Sequence, residues 1–183
     1  MDNSNSNQIH LILGGARSGK TAYALSLAEK SSLERTYLAS CPPFDGELKD
    51  RVENHKSERE NRNWKTVEET ISLKNAIKNI DENDAVLIDC ITLWINNLLF
   101  EGENGKHHYT DEEIFKLTEE LCGQIRKRKG NVYIVSNETG LGIIPDNPLA
   151  RRFRDITGKC NQIIAGYSDH VYFVTAGIAL KIK

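Results

Sequence analysis

Most features that would give this chain a specialised reading are missing. Its four cysteines, Cys41, Cys90, Cys122 and Cys160, are widely scattered with no CxxC pair. That excludes a paired-cysteine zinc site and a disulfide framework, and suits a reduced, cytoplasmic protein. Neither sign of charge prevails: 24 Lys and Arg against 26 Asp and Glu leave a formal charge of −2, which argues against a nucleic-acid partner. Long hydrophobic runs are also absent. The longest apolar stretch, Ala85 to Phe100, is interrupted by Asp89, Cys90, Thr92, Asn96 and Asn97, too polar for membrane insertion. Residues Met1 to Gln8 are polar, with no cationic start and no apolar core, and are expected to be a frayed tail rather than a signal peptide. No repeat or linker divides the remainder, so residues 9–183 are expected to form a single domain.

What is present begins at Gly14-Gly15-Ala16-Arg17-Ser18-Gly19-Lys20-Thr21, which satisfies G-x-x-x-x-G-K-[ST]. It follows a short branched run, Ile9 to Leu13, and precedes the helical segment Thr21 to Ala28, the strand-to-helix context that the motif requires. Gly14 and Gly19 are expected to let the backbone curl so that successive N–H groups face a phosphate at the positive end of the helix dipole. Lys20 would then reach the β- and γ-phosphates and Thr21 would ligate Mg²⁺. The motif indicates a nucleoside triphosphate and names no reaction.

Further strand-like runs lie at Thr36 to Ala39, Ala85 to Ile88, Val132 to Val135 and Val171 to Thr175. Segments with helical periodicity, Leu73 to Ile80 and Glu112 to Lys127, lie between them. This alternation predicts an α/β fold of three layers, a mainly parallel sheet flanked by helices, of the P-loop NTPase type. Arg126-Lys127-Arg128-Lys129 is expected to tip a helix C-terminus on a solvated face. Glu101 to Tyr109 reads as an exposed loop, with His107 and His108 in it rather than in a metal site.

Two other patterns carry chemistry. Ala85-Val86-Leu87-Ile88-Asp89 is an apolar strand ending in a carboxylate, which would place Asp89 beside Mg²⁺; capping of the helix that follows is the lesser alternative, and both roles can hold together. Arg51, His55 and Arg59 recur every four residues and share one face if helical. Two cations around a histidine suit a face that meets phosphates, with the imidazole as base or nucleophile, though the spacing alone fits an exposed basic helix as well.

The P-loop, Arg51-x3-His55-x3-Arg59, Trp64-x-Thr66-x-Glu68 and Asp89-Cys90-Ile91-Thr92 together resemble the bifunctional adenosylcobinamide kinase/adenosylcobinamide-phosphate guanylyltransferase family. So do Asn137-Glu138-Thr139-Gly140-Leu141-Gly142-Ile143-Ile144-Pro145, Leu149 to Asp155, Asn161-Gln162 and the ending Gly177 to Lys183. The resemblance implies phosphorylation of adenosylcobinamide with ATP or GTP. GMP from GTP would then pass to adenosylcobinamide phosphate through a GMP-histidine at His55, releasing pyrophosphate. Lys20 would assist catalysis. By the same resemblance the nucleotide contacts fall on Gly14, Gly15, Ala16, Arg17, Ser18, Gly19, Lys20 and Thr21, on Ser40, Cys41 and Pro42, on Lys56, Ser57, Glu58 and Arg59, and on Glu68 and Asp89. It further implies a homotrimer. Two alternatives stay open: a simple small-molecule or nucleoside kinase without a covalent intermediate, and a GTP-binding switch, for which the guanine-reading Asn-Lys-x-Asp tetrapeptide is missing.

Overall fold

The computed structural model describes residues 7–32, 34–41, 59, 62–103 and 107–183. In order these form β1 (Ile9–Gly14), α1 (Lys20–Ser31), β2 (Arg35–Ala39), β3 (Trp64–Glu68), α2 (Leu73–Asn79), β4 (Ala85–Asp89), α3 (Ile91–Glu103), α4 (Asp111–Ile125), β5 (Val132–Asn137), α5 (Pro148–Tyr167), β6 (His170–Thr175) and β7 (Ile178–Lys181). The strands make one sheet in the order β3-β2-β4-β5-β1-β6-β7. Every pairing is parallel except that of β6 with β7. Parallel strands are buried on both faces, which explains why β1, β4 and β5 read as nearly continuous branched runs.

Alternate residues of β1 feed two cores. Ile9, Leu11 and Leu13 pack with Trp94, Ile95, Ile114, Leu121 and Ile156 of the helices on one face. Ile12, with Val135 and Val174 of the neighbouring strands, packs against Ala24, Leu25 and Ala28 of α1 on the other. The expected three-layer α/β arrangement is thus observed. Helix starts follow local chemistry: Thr110 and Glu113 form a capping box on α4, and the Asn147 side chain accepts from Leu149 and Ala150 while Pro148 fills the first turn of α5. Among the described residues no helix is long and apolar enough to cross a membrane.

Several expectations are corrected. Helix α3 continues through Glu101 to Glu103, so the loop begins later than its polar composition suggested. Strands β3 and β7 and helix α5 were not anticipated, and α3 was anticipated only as a helix after Asp89, without its span. Asn7 and Gln8 are not frayed: the Asn7 amide donates to the Ile125 carbonyl at 2.8 Å and the Gln8 N–H to Asn131 Oδ1 at 2.9 Å. The basic run does follow the end of α4, yet Arg128 is buried rather than solvated. Its guanidinium donates to the carbonyls of Ile77, Ile80, Asp81 and Asp84, which closes the end of α2 and the turn into β4. His107 and His108 are exposed, as expected.

Candidate active site

Because the central strands are parallel, their C-terminal ends share one edge of the sheet. Gly14 of β1, Ala39 of β2, Glu68 of β3, Asp89 of β4 and Asn137 of β5 all lie there.

The Gly14–Thr21 loop leaves β1 at this edge. Gly14 serves close packing rather than the curl expected of it: a Cβ there would lie 2.4 Å from the Val174 carbonyl oxygen and 2.6 Å from Ser18 Oγ. The curl belongs to Arg17 and Gly19, with φ of 57° and 91°. Gly15, Ala16 and Arg17 form the exposed crest, while Ser18 is buried. The turn between β6 and β7 supports the loop from behind, since the Gly177 N–H donates to the Ser18 carbonyl at 2.9 Å. Helix α1 starts with no side-chain cap and no acid in its first turn. Its first N–H groups therefore favour an anion. Lys20 Nζ donates to the Gly15 carbonyl at 3.0 Å, folded over the cradle.

Two strands away, Asp89 Oδ2 accepts from Thr21 Oγ1 at 3.1 Å and from the Tyr37 hydroxyl at 2.6 Å. The carboxylate thus faces the P-loop, with the phenol and the threonine hydroxyl as its partners. A carboxylate and a hydroxyl side by side are the hard oxygen donors that suit Mg²⁺ completed by phosphates and water. Burial, and next the Asp89 charge and hydrogen bond, push the Tyr37 phenol well above its ordinary pKa, so it stays a donor. Arg59 is buried, with its guanidinium 3.5 Å over the centre of the Tyr37 ring. Its Nε and Nη1 have no hydrogen-bond partner among the described residues. Tyr37 therefore joins the acid side of the site to the end of the Arg-His-Arg stripe. Sequence reading missed it, because a tyrosine within a strand carries no signal of what lies beside it.

Other anticipated residues separate. Ser40 is a structural tie: its N–H donates to the Asp89 carbonyl, its hydroxyl bridges the Cys90 carbonyl and N–H, and its own carbonyl accepts from Asn97. Cys41 is half-buried beyond it. Cys90 is no nucleophile, since burial, followed by the Asp89 charge, pushes its thiol up to about 12. Glu68 is exposed at the same sheet edge, four strands from β1. At ~4.8 Å per strand this is about 19 Å from the P-loop, too far to reach phosphates held there. Pro42, Arg51, His55, Lys56, Ser57 and Glu58 lie outside the described residues.

Comparison with known proteins decides among the open readings. The family model described as cobinamide kinase / cobinamide phosphate guanyltransferase matches residues 10–182. The chain belongs to this family. It is 36% identical to the bifunctional adenosylcobalamin biosynthesis protein CobU of Escherichia coli K12 over 180 residues, covering 94% of this chain and 98% of that protein. It is 37% identical to CobP, a protein of the same description from Pseudomonas aeruginosa, covering 94% and 96%. Among solved structures, the flagellar accessory protein FlaH of Methanocaldococcus jannaschii shares the fold, with a TM-score of 0.53, 13% identity and coverage of 97% of this chain and 79% of that one. The family member described here is accordingly a bifunctional enzyme of cobalamin biosynthesis, a kinase and a guanylyltransferase that uses GTP or ATP. The simple kinase and the GTP switch are set aside.

Proposed function

We propose that both reactions use the sheet edge that carries Lys20, Thr21 and Asp89, and that guanylyl transfer runs through a covalent GMP on His55. In the kinase step the aminopropanol hydroxyl oxygen of adenosylcobinamide bonds to the γ-phosphorus, the bond from that phosphorus to the β–γ bridging oxygen breaks, and the nucleoside diphosphate leaves. The hydroxyl proton goes to solvent. In the transferase step a neutral His55 nitrogen bonds to the α-phosphorus of GTP and pyrophosphate departs. A phosphate oxygen of adenosylcobinamide phosphate then attacks the same phosphorus, the P–N bond breaks, and the imidazole is regenerated.

Lys20 and the first N–H groups of α1 would hold and neutralise the terminal phosphates, and the crest from Gly15 to Ser18 would wrap them. Mg²⁺ on Thr21 and Asp89 would supply charge neutralisation to the departing oxygens. Arg59 would offer its unpartnered guanidinium nitrogens to a phosphate, and Lys56, Ser57, Glu58 and Glu68 would contact the nucleoside end. One observation carries this reading: Arg59, four residues after His55 in sequence, is stacked on the tyrosine that holds Asp89. It supports a histidine segment that works together with the phosphate cradle.

We further read the enzyme as a cytoplasmic homotrimer. Ile143 and Ile144 on one loop, and Ile178 and Leu180 on the last strand with Ile182 just after it, are exposed aliphatics that burial against neighbouring copies would remove from water. Sedimentation analysis tests this, and a monomer at micromolar concentration would contradict it.

The covalent step is tested by intact-mass measurement after incubation with Mg²⁺ and GTP, under mildly alkaline conditions because phosphoramidates are acid-labile. The expected result is a gain of one GMP that is lost in His55→Ala. An unmodified mass despite GTP binding would remove the covalent step and leave the phosphoryl transfer alone.

A further inference from the structure

Strand β5 ends between the two halves of the nucleotide site. Asn137 pairs with Gly14 of β1 on one side, and two residues earlier Val135 pairs with Asp89 of β4 on the other. The backbone at this point is held firmly. The Asn137 N–H donates to Thr92 Oγ1 at 2.7 Å, the Glu138 N–H donates to the Gly14 carbonyl at 3.1 Å, and the Asn137 carbonyl accepts from Asn161 Nδ2 of α5 at 3.1 Å.

Three side-chain oxygens around this junction nevertheless have no partner among the described residues: Asn137 Oδ1, Thr139 Oγ1 and Asn161 Oδ1, all buried. Asn161 is only 5% exposed. Because its amide nitrogen is committed to a carbonyl, its oxygen cannot be exchanged for a donor by turning the group over. A buried amide oxygen without a donor, or a buried hydroxyl without any partner, costs free energy, so two such oxygens and one such hydroxyl at one strand end are not explained by contacts among the described residues. Their chemistry also selects what they can hold. Phosphate oxygens offer acceptors only and cannot satisfy an amide oxygen, whereas the N–H and O–H groups of an amide-bearing alcohol can.

We propose that Asn137, Thr139 and Asn161 dock the arm of the cobinamide that carries the phosphoryl-accepting hydroxyl, as positioning residues that aim it at the γ-phosphate. The site lies where such an acceptor must arrive, between the Lys20 cradle and the acid that faces it. This rests on the reading that the P-loop carries the kinase step, and it adds the residues that recognise the second substrate.

The test is initial-rate kinase kinetics with adenosylcobinamide on Asn137→Ala, Thr139→Val and Thr139→Ser, beside a GTP titration of each protein. Loss of one docking hydrogen bond is expected to raise the KM for cobinamide about tenfold, the ratio set by ~1.4 kcal/mol. GTP affinity is expected to stay within about twofold, well below that ratio. Thr139→Ser keeps the hydroxyl and is expected to restore the KM, which a merely structural role for Thr139 would not require. Thr139→Val is nearly isosteric at a position whose hydroxyl bonds nothing among the described residues, so the valine–serine pair decides the matter even if Asn137→Ala fails to fold. An unchanged cobinamide KM in Thr139→Val overturns the proposal. A parallel loss of GTP affinity also overturns it, by assigning these oxygens to the nucleotide. A wild-type enzyme that binds GTP yet never phosphorylates cobinamide would instead remove the functional reading beneath it.

Discussion

The two ends of the central strands treat polar groups in opposite ways. At the N-terminal edge, charged and amide side chains are spent mostly on the protein itself: Arg128 serves four carbonyls, Asn7 serves the end of α4, and Arg126 grips both Asp169 oxygens at 2.9 and 3.0 Å. At the C-terminal edge, Arg59, Asn137, Thr139 and Asn161 keep buried polar atoms without partners among the described residues, and α1 begins uncapped. Stability and the candidate site therefore lean to opposite sheet edges. Most polar groups that close the fold are paired, and those left open at the other edge lie beside the P-loop strand and the Tyr37–Asp89 pair. The pattern is incomplete: near the N-terminal edge Arg35 Nε, Arg128 Nε and His170 Nδ1 find no partner among the described residues, and neither does either ring nitrogen of the buried His10, whose ring stacks 4.7 Å from that of Tyr133.

The contrast can be broken from either side. Lys20→Ala is expected to lower the phosphoryl-transfer kcat by about 100- to 1,000-fold, the range for removing one preorganised charge-stabilising group. Its unfolding midpoint should be unchanged, so a large loss of stability would show that Lys20 belongs to the fold. Arg128→Met frees four carbonyls and is expected to destabilise the protein by about 3 kcal/mol in urea unfolding while leaving GTP affinity intact. A loss below ~0.5 kcal/mol would contradict the assignment of that edge to stability.

His10 makes a pH prediction of similar size. Burial, then the His170 charge, lower its pKa from 6.5 to about 4, with Lys181 adding to this and Asp169 opposing it. Its folded pKa lies below its unfolded one, so between these values the unfolded chain binds more protons. Its contribution is therefore full above pH 6.5 and is lost as pH falls towards about 4, amounting to about 3 kcal/mol at ~1.4 kcal/mol per pH unit. His10→Phe, which keeps a ring to stack, should flatten the stability profile in that window. An unchanged slope would place the acid sensitivity elsewhere. The smallest effect is expected of Tyr37→Phe, which removes a 2.6 Å hydrogen bond to Asp89. About 1 kcal/mol, or about a fivefold lower kcat at limiting Mg²⁺, is expected, and full activity there would show that Thr21 alone orients the acid.

The sequence reading found what short-range chemistry encodes. The P-loop, the branched strands β1, β4 and β5 and the acid at position 89 each carry a local signature, and the ordered motifs carried the family. Strand β3 escaped because Trp64-Lys65-Thr66-Val67-Glu68 sits at a sheet edge with half its residues in water, blurring the alternation. The span of helix α3 escaped because Trp94, Ile95 and Leu98 are buried beneath a helix that is apolar almost all round, which hides its period. The remaining misses depend on partners distant in sequence. Nothing near Arg128 announces carbonyls some fifty residues earlier, and nothing near Asn161 announces the end of β5, 24 residues before it.

The division between the edges is tested most directly by calorimetric titration of Mg²⁺·GTP into Arg59→Met. This change removes a buried cation whose Nε and Nη1 find no partner among the described residues, and it keeps the apolar contact with Tyr37. The account predicts GTP binding weakened about tenfold or more, as for loss of a charge-assisted phosphate contact, with an unfolding temperature at or above that of the wild type. Wild-type GTP affinity together with a lowered unfolding temperature would contradict it, and would move Arg59 to the structural side of the molecule.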